Sequence, residues 1–404
     1  MGDANHMTAT QTYRPPAQAG MSLIEVLVGL VIGLIGMLVI FQSYNAFEGQ
    51  KRTTTVTNDA QESGLLALTA IEREARLAGY GMFYSNALSC SSPSLKQYDG
   101  GAGTTTTVPY LPISIMNGAS NASDVIQVTY GTSAYSATPS TIAQNFSGSP
   151  AEIKIDNSAR SSVFRVGDFI TVGYPSGAVG GAIPCVRLQV SSISADAANP
   201  KYVNLGVAPG GSTPANPAAL TGFLPHTFSN SPTDVSVVTN MGQFSRVQYS
   251  VVLDAVRNGR LVFRDVNAGA STNVEIADGI VNLQAQYGIS TAPNVQNINQ
   301  WVNAVNGGPG NFANPGMTEL GRIKAIRVAV VARSQLMEKV NIASRDMTCI
   351  NTSGTNTNGP CAWRDTGASP APLIVLSGDA NWRRYRYRVY ETIIPLRNVM
   401  WQSF

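Results

Sequence analysis

The chain has 404 residues, and 27 Lys+Arg against 24 Asp+Glu leave a net charge of +3. Charged residues make up 13% of it, well under the ~25% usual for soluble globular domains, which argues against a basic nucleic-acid binder and against an acidic disordered chain. Two histidines, His6 and His226, leave little room for a multi-histidine metal site or catalytic centre, while a hydrophobic fraction of 44% is enough for a sizeable core.

The first segment is polar, TATQTYRPPAQAG, and ends in Gly20. An apolar run follows at once, MSLIEVLVGLVIGLIGMLVIF, from Met21 to Phe41. As a helix it spans about 31 Å, a match to the bilayer core. Arg14 before it and Lys51 and Arg52 after it do not fix its orientation. A secretory signal would place the small-residue cleavage site after the apolar run, and here the order is reversed. The only charge in the run is Glu25. A carboxylate in a membrane helix is costly and by default functional. No Lys, Arg or His of the same helix lies within reach, so its partner must come from outside the segment. The competing reading is a plain anchor whose Glu25 snorkels to the interface.

Helical character continues beyond Phe41. Val56, Ala60, Gly64, Ala67, Ile71, Ala75 and Ala78 recur at spacings of three and four, which makes one helical face. Glu72 and Arg76 form a supportive i,i+4 pair. The helix is expected to end at Gly79 in LAGYG. Short strands and polar turns come next. The predicted strands are Asp124 to Tyr130, Phe164 to Val172, Val186 to Val190, Tyr202 to Val207, Ile280 to Tyr287, Ile323 to Val331 and Tyr385 to Ile394. Asn258-Gly259 between two alternating runs predicts a tight hairpin. Gly100 to Thr107, Ala208 to Ala219, Asn303 to Gly316 and Asn351 to Pro372 read as loops.

No pair of the four cysteines forms a C-x-x-C motif, so a zinc ribbon or thioredoxin motif is disfavoured. Cys349 and Cys361 flank a Ser/Thr/Asn/Gly loop that suits a local disulfide, which leaves Cys90 with Cys185 as a second bridge; four buried thiols are the alternative. No nucleophile–base pair, metal cluster or cofactor motif is found, so catalytic, metal and cofactor sites are all expected to be absent. Gly307-Gly308-Pro309-Gly310 lacks the strand–helix frame and the Lys-Ser/Thr of a phosphate loop. Alternation would place Arg384, Arg386 and Arg388 on one strand face as a candidate basic patch. It reads as a solvated face, or one that meets acidic groups of a partner, rather than a nucleic-acid grip.

Gly20-Met21-Ser22-Leu23-Ile24-Glu25 resembles the prepilin cleavage motif of type IV pilins and type II secretion pseudopilins. Ala70 to Tyr80, with its AGY ending, resembles the PilW family of minor pilins, as do Ile280 to Gly288, Ile326 to Ser334 and Tyr387 to Met400. The family is related to the large J-type pseudopilin. The leader departs from the pattern in having only Arg14 as a basic residue, and Met21 stands where Phe is usual. Cys90 lies further from the AGY segment than the family's cysteine.

The resemblance implies cleavage between Gly20 and Met21 by a membrane peptidase, then methylation of the new amine. Glu25 becomes the assembly glutamate, paired with the Met21 amine of a neighbouring subunit. The implied fold is α+β and pilin-like: leader 1–20, membrane half-helix 21–47, exported half-helix 48–79 and an antiparallel β-rich domain 80–404. The implied protein is a non-enzymatic minor pilin in a complex that initiates or caps the pilus. Its partners would be other minor pilins, the major pilin, the prepilin peptidase and the assembly platform, with nucleic acid disfavoured. It would cross the inner membrane once, place its domain in the periplasm and then enter the pilus. The alternatives are a tip adhesin or DNA-binding pilin, and a type II secretion pseudopilin.

Overall fold

The computed structural model describes residues 20–84, 87–119, 122–134, 139–156, 163–174, 182–209, 215–231, 234–255, 257–267, 272–342, 348–351, 354–363 and 371–400. The segment before Gly20, with His6 and Arg14, lies outside them. The chain forms two compact units, Met1–Thr55 and Val56–Phe404.

The first unit carries the apolar part of a helix that runs Leu23–Ala75. Ser22 starts it, since its hydroxyl accepts the Glu25 N–H at 3.3 Å and so satisfies one orphan donor of the first turn. Leu23 to Phe47 leave their large apolar side chains exposed on every side of the helix. Among the described residues, one helical stretch, Leu23–Lys51, is long and apolar enough to cross a membrane.

In the second unit the small-residue face of the helix is buried: Ala60, Gly64, Ala67, Leu68, Ile71 and Ala75 point inward, while Leu65 and Leu66 stay exposed. Regular helix ends at Ala75 rather than at Gly79. The reason is local. Leu77 and Ala78 donate to Glu74 and Ala75 in tighter i→i−3 bonds, and Gly79 gives its N–H to Thr129 O at 2.9 Å instead of to a helix carbonyl. Gly79 sits at φ +79°, where a side chain would press on Phe83 and Pro112. The Asn398 amide donates to the carbonyls of Leu77 and Ala78 at 3.3 and 3.2 Å, which caps the helix end from the far end of the chain.

Two antiparallel sheets receive this face. One is five-stranded in the order Val274–Asp278, Gly259–Asp265, Ser245–Leu253, Val125–Tyr130, Ile113–Met116. The other is four-stranded: Gln300–Val302, Ile280–Ile289, Ile323–Arg333, Tyr387–Pro395. Their inner faces and the helix share one core, which includes Ile71, Val128, Tyr249, Leu283, Ile326, Val328 and Ile394. The outer face of the four-stranded sheet is covered by Trp363, Ile374 and Trp382, which pack on Ala329 and Val331.

A second, separate core lies between a six-stranded and a three-stranded sheet and is built from Ile153, Ile155, Ile170, Val172, Leu188, Leu205 and Phe228 among others. In the six-stranded sheet Cys185–Gln189 runs parallel to Ser94–Asp99 and antiparallel to Phe169–Gly173. Arg187 and Arg246 are both buried near the junction of the two cores. Arg187 stacks on Phe169 and Phe244, with its Cζ 5.1 and 5.8 Å from their ring centroids. Burial, with the Arg246 charge beside it, brings the Arg187 guanidinium down to about 10.

Three further expectations are corrected. Asn258-Gly259 is not a two-residue turn: Leu253 pairs with Gly259, and residues 254–258 form the connection, held by Asp254, which accepts from Asn258 N at 2.8 Å. Gly259 serves close approach instead, because a Cβ there would stand 2.0 Å from Ile280 O. The strand expected from Phe164 begins only at Phe169, since Asp168 accepts the Arg165 N–H at 3.0 Å and closes a turn through Gly167 at φ +94°. The loop expected at Gly100 to Thr107 is instead the turn and the start of the second strand of a hairpin. Thr104–Pro109 pairs with Ser94–Asp99, and Asp99 accepts from Gly101 and Ala102.

Two outcomes follow from this packing. A Cβ on Gly64 would lie 2.3 Å from the Tyr390 ring, so Gly64→Leu is expected to destabilise the second unit by about 1–3 kcal/mol through overpacking. Denaturant unfolding followed by tryptophan fluorescence checks it. Asp124 accepts the N–H groups of Gly118 and Ala285, both at 2.8 Å, and so ties the start of one strand to its neighbour across the core. Burial outweighs these two bonds and pushes its carboxyl up to about 6 from 3.8. The folded state therefore holds the proton more tightly than the unfolded one. That contribution to stability is full below about pH 4 and is lost as pH rises through about 6. Denaturation midpoints near pH 4 and pH 7 should show a smaller loss in Asp124→Asn than in the native chain.

Candidate assembly site

Gly20 is exposed, and a Cβ added to it would meet nothing within 4 Å. Among the described residues, neither space nor backbone strain demands glycine there. The same holds for Gly29, Gly33, Gly36 and Gly49, around which a Cβ finds open space. Each of these four costs the helix about 1 kcal/mol relative to alanine, and no packing among the described residues requires it.

Glu25 stands in the first helical turn, exposed, with its backbone N–H held by Ser22. A carboxylate at this end is favoured by the helix dipole. Among the described residues no cation pairs with it. Sequence reasoning missed the cap, although Ser22-Leu23-Ile24-Glu25 carries the S-x-x-E spacing of a capping box. Met21 is also exposed, immediately before this turn.

The cysteines form two disulfides. Cys90 bonds to Cys185, and Cys349 to Cys361, with Cα separations of 5.1 and 4.6 Å. The first joins the segment after the helix to a strand of the six-stranded sheet. Gly173 makes room for it, since a Cβ there would lie 2.3 Å from the Cys185 sulfur and from Ser89 O. The second closes a short ring over the ladder Cys349–Asn351 with Gly354–Asn356.

The three arginines of the candidate basic patch do not share one strand face. Arg384 belongs to the 3₁₀ turn Trp382–Arg384, and the strand begins only at Tyr387. Arg384 Nε donates to Glu338 O at 2.8 Å, and Arg386 Nε to Glu338 Oε1 at 3.1 Å. Arg388 alone is exposed on the strand. Glu338, not noticed in the sequence, thus draws two of the three guanidinium groups back onto the protein. His226 lies against Tyr174 and Phe228, at centroid distances of 4.6 and 5.4 Å, a packing role. Among the described residues no group of three or more His, Cys, Asp or Glu side chains could hold a metal ion.

Comparison with known families gives two matches. The model for Type IV Pilus-assembly protein W, PilW, matches residues 248–398. The model for the prokaryotic N-terminal methylation motif matches residues 15–41. Neither curated proteins nor solved structures give a match to the chain. The second match brackets Gly20, Met21 and Glu25, and the first ends at Asn398, the residue that caps the helix.

Peptide mapping without reductant is expected to recover Cys90 linked to Cys185 and Cys349 linked to Cys361. A peptide that joins Cys349 to Cys90 or Cys185 would contradict the pairing. Replacing both Cys349 and Cys361 with Ser should cost up to about 3 kcal/mol on the chain-entropy model, read as a lower denaturation midpoint.

Residues 248–398 are thus similar to PilW, and residues 15–41 to the N-terminal methylation motif of prepilin-like proteins.

Proposed function

From these two matches, we propose that the chain is a structural, non-enzymatic subunit of a minor-pilin complex that initiates or caps a type IV pilus. In this reading the prepilin peptidase cuts between Gly20 and Met21 and the new amine is methylated. Residues 21–47 then hold the protein in the inner membrane, with 48–79 as the exported half-helix and 80–404 as the periplasmic domain. Assembly moves the helix from lipid into the fibre, among other minor pilins and the major pilin, at the assembly platform.

The observation that carries the reading is Glu25. It is the only charge between Met21 and Phe47, and no cation pairs with it among the described residues. A lone carboxylate costs at least ~2.5–3.5 kcal/mol at a bilayer centre. The Met21 amine of a neighbouring chain would neutralise it. Once both charges leave water, separating them again exposes each to that cost, so the pair fixes the axial register of one helix on the next. The apolar side chains exposed all round the helix from Leu23 to Phe47 suit lipid before assembly and other helices after it.

One set of variants tests this. Glu25→Val removes the carboxylate but keeps the backbone N–H that Ser22 accepts, so the start of the helix is preserved. Membrane insertion, folding and processing are expected to continue. Co-purification with other pilins from detergent extracts is expected to fall at least tenfold. Gly20→Val should leave the leader attached, while the native protein has the mass of a chain that begins at methylated Met21. Wild-type co-assembly of Glu25→Val would reduce Glu25 to an anchor residue, and a native mass that includes residues before Met21 would remove the processing step.

A further inference from the structure

The connection 303–316, between the edge strand Gln300–Val302 and the short helix Met317–Arg322, has no part in the assembly reading. It closes over a recess of about 250 Å³. None of the residues that line the recess is charged; they are aromatic, aliphatic, glycine or amide. We propose that this recess binds a neutral saccharide, with one sugar ring against Trp301 and the amides of Gln300, Asn303 and Asn306 reading its hydroxyl groups.

The wall is fixed before any ligand arrives. The Trp301 indole lies over Gly288, its partner across the ladder, where a Cβ would come within 2.8 Å of the ring. The Arg327 guanidinium stands 5.0 Å from the Trp301 centroid and 4.1 Å from that of Trp363. Arg327 Nε donates to Gln286 Oε1 at 2.9 Å, and Gln286 Nε2 donates to Asn303 Oδ1 at 2.6 Å. The Asn303 oxygen is thereby engaged and its NH₂ group is the part it offers. Arg327 itself is buried, so its charge orders the wall from beneath and does not line the recess. On the rim, Gly307 and Gly308 have φ of +106° and +64°, and a Cβ on either would meet open space. Bare peptide groups therefore face an incoming ligand.

This chemistry selects among ligand classes. Phosphate or nucleic acid needs cations in the wall, and here there are none. A hydrocarbon ligand would leave the amides without partners. A sugar ring has an apolar C–H face to lay on an indole and hydroxyl groups that both donate and accept, as amides do. The volume lies just below the ~300–1,000 Å³ of drug-sized pockets, which suits one ring. The edge strand beside the recess is three residues long, short of the usual five to six, which disfavours an added peptide strand.

The test is titration calorimetry on the full chain in detergent, with D-glucose, D-galactose and N-acetyl-D-glucosamine as probes. Inorganic phosphate and an extended uncharged peptide serve as comparators. At least one sugar should bind saturably, and phosphate should not. Asn303→Ala and the rim variant Asn306→Ala should each weaken binding at least tenfold while circular dichroism and melting stay native. Co-purification with pilins should be unchanged in Asn306→Ala, which separates this proposal from the assembly reading. No saturable sugar binding by the folded native chain would overturn it. So would sugar binding unaltered in both variants, binding of the peptide or phosphate in place of sugars, or loss of pilin co-purification in Asn306→Ala.

Discussion

The strand Ile323–Arg333 is buried along all eleven of its residues, and the rest of the second unit is arranged to keep it so. Ile326, Val328, Val330 and Ala332 face the core shared with the helix, while Ala329 and Val331 face the tryptophan-lined layer on the other side. A strand buried on both faces must satisfy its backbone on both edges. Ile280–Ile289 and Tyr387–Pro395 do this with ladders along nearly its full length. Three charged groups lie inside the same strand, and each is answered locally. Lys324 donates to Pro293 O and Gly321 O, both at 2.7 Å, Arg327 donates to Gln286, and Arg333 meets Asp379 at 3.0 Å. Burial lowers the Lys324 and Arg327 pKa values, as desolvation of a cation must.

The helix depends on this sheet in turn. Its inward face carries Ala60, Gly64, Ala67 and Ala75 beside Leu68 and Ile71, so the backbone can come close at the small residues, and Gly64 lets the Tyr390 ring lie against the helix. The anchors at its far end come from distant parts of the chain: the Tyr249 hydroxyl on Ala70 O, Tyr130 on Glu74, and Asn398 on the last carbonyls. A long helix with a small apolar face has little reason to hold one rotation by itself. These polar contacts fix its rotation and axial position on the sheets.

The sequence makes some of this readable and hides the rest for physical reasons. Helix spacing from Ala60 to Ala75 is a local signal, and it appears as the buried face. The stretch Ile323 to Val331 shows no regular polar alternation because both faces are covered, and only Lys324 and Arg327 interrupt its apolar residues. The Thr104 tract carried no apolar residue to suggest a strand, yet its β-branched side chains suit an exposed edge, and only pairing with Ser94–Asp99 makes it one. Asn258-Gly259 misled because the signal belongs to turns, whereas Gly259 answers a clash with Ile280 that is distant in sequence. The arginine alternation at Arg384 to Arg388 broke for the same kind of reason, a non-local partner in Glu338. At the candidate assembly site, the segment that matches the N-terminal methylation motif was legible in the sequence. The Ser22 cap could have been read from the same stretch.

The second core has a topological explanation. Val125–Tyr130 and Ser245–Leu253 are neighbours in the five-stranded sheet, and Tyr130 pairs directly with Ser245. Everything between them leaves and returns at one point of the ladder. Most of the six-stranded and three-stranded sheets and their separate core are built from that excursion. Closing so long a segment between two ladder neighbours costs little more than closing a short one, because the entropic cost of bringing the ends together grows only slowly with length. The excursion lies outside both family matches, while the seat of the helix lies largely within the longer one. The Cys90–Cys185 bridge, and the Arg187 guanidinium that donates to Tyr98 O at 3.4 Å, then fasten the excursion to the segment that follows the helix at two further points. An insertion whose ends are adjacent can change in size or surface without shifting the strands that hold the helix. The helix seat and the excursion are thus separable in their physical demands: the first must keep the small-residue face and its anchors, and the second need only return to Ser245 in register.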